Sequence, residues 1–265
     1  MPKVEIGEVR LYYELSGTVK GDILIFSNSL GSNLHMWDKV LPRLEKSYRV
    51  LRYDMRGHGE STAPPGPYNI AQLGRDALHL IDHLGLDCVH ICGLSLGGMV
   101  AMWLGTHVPH RVGRLILANS GARIGTPQMW DERIAAVQNS GMAPLALIGL
   151  QRWFTPGYRD RHPEEMETVS GMIANTDPQG YVACCGVLRD TDLRNDIRSI
   201  EAPCLVITGT HDPATPPSNG LALYAALRNS SYVELDASHL SAWERAEEFA
   251  DAVLAFLRAQ EHSDG

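Results

Sequence analysis

A serine between two glycines, Gly93-Leu94-Ser95-Leu96-Gly97, stands where a β-branched apolar run, Cys88-Val89-His90-Ile91-Cys92, meets a stretch at helical spacing, Met99, Val100, Met102, Trp103 and Leu104. A Gly-x-Ser-x-Gly on such a strand-to-helix turn is a nucleophile elbow, which lifts the serine hydroxyl above a sheet edge. The serine backbone is strained there, and side chains two residues to either side would collide with the turn, so both positions need glycine. Gly98 extends the pattern, since a small residue lets the new helix pack close to its neighbour. A serine hydroxyl alone is a weak nucleophile. It needs a base within hydrogen-bond reach and an acid to orient that base.

Both follow along the chain, each on a loop after an apolar run. Residues 204–209 lead into Thr210-His211-Asp212-Pro213, and residues 232–235 lead into Asp236-Ala237-Ser238-His239. The run before the intervening segment ends in Asn119-Ser120 and offers no competing acid, so Asp212 is the expected partner of His239. The bland readings are that Asp212, standing before proline, caps a turn, and that His239 is a surface residue before a helix. His211 is a rival base, yet as the neighbour of Asp212 in a tight loop it cannot easily bridge to Ser95. His58, flanked by glycines in Asp54-Met55-Arg56-Gly57-His58-Gly59-Glu60-Ser61, reads as part of a structural loop near the site, and His90 as a core residue within a strand. Acyl transfer also needs backbone N–H donors for the oxyanion. Leu96 should supply one, and Ser29 or Leu30, in Ser27-Asn28-Ser29-Leu30-Gly31, the other, with Ser29 preferred.

Short apolar strands at residues 23–27, 48–53, 88–92, 115–119, 204–209 and 232–235 alternate with helical patterns, after a two-strand start at residues 4–15 that turns at Gly7-Glu8. Residues 70–84, with Asn69 as cap, 97–107 and 246–257 read as helices. This order predicts an α/β fold with a mostly parallel central sheet and helices on both faces, whose sites form at the carboxyl ends of the strands. Residues 121–200 lack strand signals but carry three helix starts, Thr126-Pro127, His162-Pro163 and Asp177-Pro178. A stretch this long is rarely an unstructured loop. The expected organisation is therefore core 1–120, an inserted helical cap 121–200 and core 201–265, with a polar tail from Ala259 to Gly265 that frays.

Composition narrows the partners. The chain of 265 residues is 44% hydrophobic and carries a net charge of −8, which disfavours phosphate backbones and argues against nucleic acid. No window is apolar enough to span a bilayer, and the first residues lack a signal-peptide core, so a cytoplasmic protein is expected. Five cysteines without paired C-x-x-C spacing read as buried reduced thiols rather than disulfides or metal ligands. No metal or cofactor is expected.

The assembled motifs resemble the α/β-hydrolases over essentially the whole chain: Asp54-x-Arg56-Gly57-x-Gly59-x-Ser61, Gly93-Leu94-Ser95-Leu96-Gly97-Gly98, Thr208-Gly209-x-x-Asp212-x-x-x-Pro216 and Ser238-His239. More narrowly, Ser27-Asn28-Ser29-Leu30-Gly31-Ser32, Cys184-Cys185 and Leu188-Arg189-Asp190-Thr191-Asp192-Leu193 resemble the 3-oxoadipate enol-lactonases of bacterial aromatic degradation. Many α/β-hydrolases carry His-Gly where this chain has Ser27-Asn28. The resemblance implies a small enol lactone bearing a carboxylate, opened through a Ser95 acyl-enzyme with His239 as base. Of the cap arginines at 123, 133, 152, 159 and 161, Arg133 is the first choice for that carboxylate, with Leu30 and Trp153 beside the substrate. The alternatives are a broader carboxylesterase or cofactor-free perhydrolase, a C–C bond hydrolase acting on diketones, and a non-catalytic ligand-binding protein that keeps the pocket.

Overall fold

The computed structural model describes residues 2–259, so the expected fraying of the tail lies, from residue 260 on, outside the described residues. The chain opens on β1 (Lys3–Ile6) and β2 (Val9–Gly17), an antiparallel hairpin. Then come β3 (Ile23–Ser27), α1 (Leu41–Leu44), β4 (Arg49–Tyr53), α2 (Ile70–His83), β5 (Val89–Leu94), α3 (Leu96–His107) and β6 (Val112–Ala118). Five helices follow with no strand between them: α4 (Pro127–Ser140), α5 (Ala143–Trp153), α6 (Pro156–Arg161), α7 (Pro163–Ala174) and α8 (Pro178–Asp190). The chain then returns through β7 (Cys204–Gly209), α9 (Pro217–Ala226), β8 (Ser230–Leu235), α10 (Ser241–Glu244) and α11 (Ala246–Arg258).

The eight strands form one sheet in the order β1-β2-β4-β3-β5-β6-β7-β8, parallel from β4 to β8. Every residue of β3 and β7 is buried, which requires that both faces of the sheet be covered there. The register aligns strand ends: Ser27 stands opposite Gly93, Leu94 opposite Ala118, and Gly209 opposite Leu235. The loops after β3, β5, β6, β7 and β8 therefore emerge along one sheet edge. This is the fold class expected from the alternation of strands and helices.

Local chemistry explains where the helices begin. Asn69 and Gln72 form a reciprocal capping box at α2, and Thr126 and Asp177 accept from Met129 and Gly180 N–H to start α4 and α8. His162 precedes Pro163 without any side-chain cap bond, so proline alone marks that start. The two ends of the stretch holding α4–α8 meet, with Leu193 N–H donating to the Ala122 carbonyl at 2.8 Å. Among the described residues, no helix is long and apolar enough to cross a membrane. All five cysteines are free, but Cys88 is exposed, contrary to the expectation of five buried thiols. It precedes the first residue of β5, where the sheet no longer covers it.

Candidate active site

The elbow has the strain its sequence implies. Ser95 lies at φ 58° and ψ −114°, a left-handed conformation uncommon for a residue with a side chain. A Cβ on Gly93 would overlap the Gly97 carbonyl, and one on Gly97 would overlap the carbonyl of Ser27 on the neighbouring strand. A Cβ on Gly98 would strike Ser120, so the neighbour that its small size admits is the loop after β6. Ser120 uses this proximity, its Oγ donating to the Ser95 carbonyl at 2.8 Å. Ser95 N–H donates to the Ala118 carbonyl at 3.0 Å, fastening the turn to β6.

Asp212 and His239 meet as expected, with Nδ1 of the buried histidine 2.8 Å from Asp212 Oδ2. The turn-capping reading of Asp212 also holds. Its Oδ1 accepts from the N–H groups of Ala214 and Thr215 at 2.7 and 3.0 Å. Oδ2 takes the Thr215 hydroxyl at 2.6 Å and Asn119 Nδ2 at 3.0 Å besides the imidazole. Burial pushes this carboxyl up, but the His239 charge and the donors from His239 and Thr215 outweigh it and hold Asp212 below the ordinary carboxylate range. It therefore stays ionised through neutral pH. Asn119 and Thr215 were not foreseen. A threonine three residues after a turn-capping aspartate was a legible signal; Asn119, 93 positions from its partner, was not.

The loop carrying His239 is tied on both sides. Ser238 N–H donates to Glu244 Oε2 at 2.9 Å, and the same carboxylate receives the N–H and hydroxyl of Thr155. The rival histidines are elsewhere employed. His211 Nε2 bonds Asp236 at 2.8 Å on the exposed side, and His90 lies within β5. His58 is buried under the loop after β3: its Nε2 accepts the Gly31 N–H at 2.9 Å while Nδ1 faces the Arg56 carbonyl at 3.2 Å.

That bond bears on the choice between Ser29 and Leu30 as oxyanion donor. Of the three N–H groups in Ser29-Leu30-Gly31, the Gly31 one is taken by His58 and the Ser29 one by Met36 Sδ at 3.3 Å. Leu30 N–H has no acceptor among the described residues, and neither does Leu96 N–H, an orphan donor of the first turn of α3. The loop is braced besides by Asn28, whose side chain accepts from Trp37 Nε1 and donates to the Tyr53 carbonyl, both at 2.8 Å.

Burial holds His58 down at about 4, so it is neutral in the native protein near pH 7. Its folded value lies below the ordinary 6.5, so the unfolded chain binds the extra proton first as pH falls. The stability it permits is present above about 6.5 and is lost toward about 4, worth roughly 3 kcal/mol at about 1.4 kcal/mol per unit. Asp54, pushed up by burial to about 6, works in the opposite sense over much of the same window. Wild type alone should thus show a shallow slope. His58→Gln should gain on wild type by a few kcal/mol between pH 7 and 4 in urea denaturation, and a constant difference between the two proteins would contradict this.

Ser95, His239, Leu30, Arg133 and Trp153 line one tight cavity of about 60 Å³, together with Trp130 and Tyr181 from the helices between β6 and β7. The structure thus gathers every residue expected beside the substrate, and adds Arg152, which had been one of five cap arginines without preference. A larger groove of about 660 Å³, lined by Gly66, Pro67, Ile134, Val137, Val182 and Ala183, runs along α4 and α8 and holds none of these groups. His79 and His83 stand one turn apart on α2, but Asp82 between them pairs with Arg111 at 2.7 Å. Among the described residues, no cluster of three or more His, Cys, Asp or Glu side chains could hold a metal ion.

The chain matches known proteins over most of its length. A family profile for the alpha/beta hydrolase fold matches residues 22–246. The chain is 40% identical to 3-oxoadipate enol-lactonase 2 of Acinetobacter baylyi, over 95% of its own length and 94% of that protein's. It is 33% identical to 3-oxoadipate enol-lactonase 1 of the same organism, over 94% and 93%. The crystal structure of the enol-lactonase from Burkholderia xenovorans LB400 superposes with a TM-score of 0.95 at 41% identity, covering 97% of this chain and all of that one. The chain belongs to the alpha/beta hydrolase family and is similar, within it, to the 3-oxoadipate enol-lactonases.

Proposed function

We propose that this protein is a serine hydrolase that opens 3-oxoadipate enol-lactone to 3-oxoadipate, in the degradation of aromatic compounds. The observation that carries the reading is the buried Asp212–His239 pair in a cavity that Ser95 also lines. The names of the relatives supply the substrate.

The geometry supports the following course. Both hydrogen bonds of the imidazole are on Nδ1, leaving Nε2 to take the Ser95 proton as Oγ attacks the lactone carbonyl. The tetrahedral oxyanion rests on Leu96 N–H and Leu30 N–H, the latter in place of Ser29. Collapse breaks the ring C–O bond, and the imidazolium protonates the enolate oxygen as it leaves. The enol then ketonises while still tethered through the acyl group, which removes the nucleophile that would reverse the step. Water, deprotonated by His239, releases the acid from Ser95. Residues 121–200 act as the cap over this chamber, with residues 1–120 and 201–265 as the core. Arg133 takes the substrate carboxylate, because an unpaired buried carboxylate would be costly. The free cysteines suit a cytoplasmic location.

The test is the ultraviolet loss of 3-oxoadipate enol-lactone, run beside a set of simple aryl esters. Rapid loss of the lactone supports the assignment. Turnover confined to the aryl esters would keep Ser95 as nucleophile and discard the lactone.

A further inference from the structure

We infer that Arg152 forms the second arm of an anion clamp with Arg133, and that the pair selects acyl compounds with a carboxylate at the end remote from Ser95. The inference rests on the proposed reading of Ser95 as the attacking group. Both arginines line the cavity that holds Ser95 and His239. Arg133 makes one hydrogen bond, from Nη1 to the Tyr181 hydroxyl at 3.3 Å, and among the described residues no carboxylate pairs with either guanidinium. Two buried arginines of this chain are matched by carboxylates: Arg56 forks onto Asp76 at 2.6 and 2.7 Å, and Arg52 pairs with Glu14 at 2.6 Å and with Asp38.

Two cations facing one small cavity repel each other. Burial, and then the Arg133 charge, hold the Arg152 guanidinium below its ordinary value. Asp212 pulls the other way, but its oxygens are already filled by five donors of its own. What relieves the pair is an anion entering the cavity. A carboxylate fits best, since each planar guanidinium can offer it two parallel N–H groups.

The backbone around Arg152 gives it a task that Arg133 does not share. Ser238 Oγ donates to the Arg152 carbonyl at 2.7 Å, and Leu240 N–H donates to the Trp153 carbonyl at 2.9 Å. The two residues flanking His239 are thus bonded to the arginine and its neighbour. Arg133 sits on α4, which packs along α8. Arg152 therefore fixes the remote carboxylate at a set distance from the imidazole, so that the acyl carbon falls at Ser95. A neutral acyl chain leaves both cations unpaired and gains none of this registration.

The experiment compares mono-para-nitrophenyl succinate with para-nitrophenyl pentanoate, which are close in length and differ in terminal charge. The readout is the ratio of their kcat/KM values. Wild type should favour the anionic ester at least tenfold. Arg152→Gln should lower the ratio by roughly 10- to 100-fold, as expected for loss of a charge-assisted pair, and Arg152→Lys should recover part of it. A purely structural role for Arg152 would depress both esters alike and leave the ratio in place. Equal turnover of the two esters by wild type, turnover of neither, or an unchanged ratio in Arg152→Gln each overturns the inference. The esters keep the test separate from the lactone assignment, because a failure on 3-oxoadipate enol-lactone would leave the ester ratio readable.

Discussion

Ser95→Ala is expected to lower kcat by roughly 10⁶-fold while leaving the fold intact. The hydroxyl is the only atom removed, and the strained backbone at φ 58° is held by groups other than the side chain. Ser95 N–H bonds Ala118, and the Ser95 carbonyl is held by Ser120. The variant should therefore unfold at a denaturant concentration close to that of wild type. Stopped hydrolysis with unchanged stability, and continued binding of the lactone measured by calorimetry, is the expected result. What activity remains would come from the proposed oxyanion donors, the N–H groups of Leu96 and Leu30, which the substitution does not touch. Hydrolysis at more than about a hundredth of the wild-type rate would rule out attack by this serine.

The second large effect is expected from Asp212→Asn, about 10⁴-fold in kcat. An amide has one oxygen, whereas the two carboxylate oxygens of Asp212 serve five donors. If the new NH₂ faces His239, it meets the Thr215 hydroxyl and Asn119 Nδ2 as well, and it forces the imidazole proton onto Nε2, where it cannot accept from Ser95. If it faces the turn instead, it meets the N–H groups of Ala214 and Thr215. Either orientation leaves donors opposed, so a stability loss of about 1–3 kcal/mol should accompany the loss of rate. The acid side of the stability profile offers a further check. Because the folded Asp212 value lies below the ordinary range, its contribution is present above the unfolded value and is lost as pH falls through the folded one. The variant should lack that segment of acid loss. A rate within tenfold of wild type would mean that His239 does not depend on this carboxylate.

Ser95, Asp212 and His239 could be read from the chain as candidates because each rests on short-range rules. The glycine spacing fixes the elbow, and each apolar run ends in the loop that bears one group. Once the strands are parallel, their carboxyl ends share an edge, so three loops far apart in sequence must converge there. The starts of α4 and α8 were equally local, a capping side chain followed by proline.

The remainder depended on distances that no periodicity encodes. Ser29 and Leu30 are equivalent as sequence; the Met36 sulfur and the His58 imidazole, 7 and 27 positions from the groups they hold, decide that Leu30 N–H is the one left over. Arg152 looks like any other arginine of its segment until α4 and α5 bring it to the same cavity as Arg133. Cys88 is exposed because the sheet ends beside it, which its apolar neighbours conceal. The sequence by itself determined the candidate reactive groups and the edge on which they meet, through turn chemistry and strand pattern. Only the tertiary structure decided which N–H groups stay open and which charges stay unpaired, because a polar group's state is set by the partners that packing brings to it.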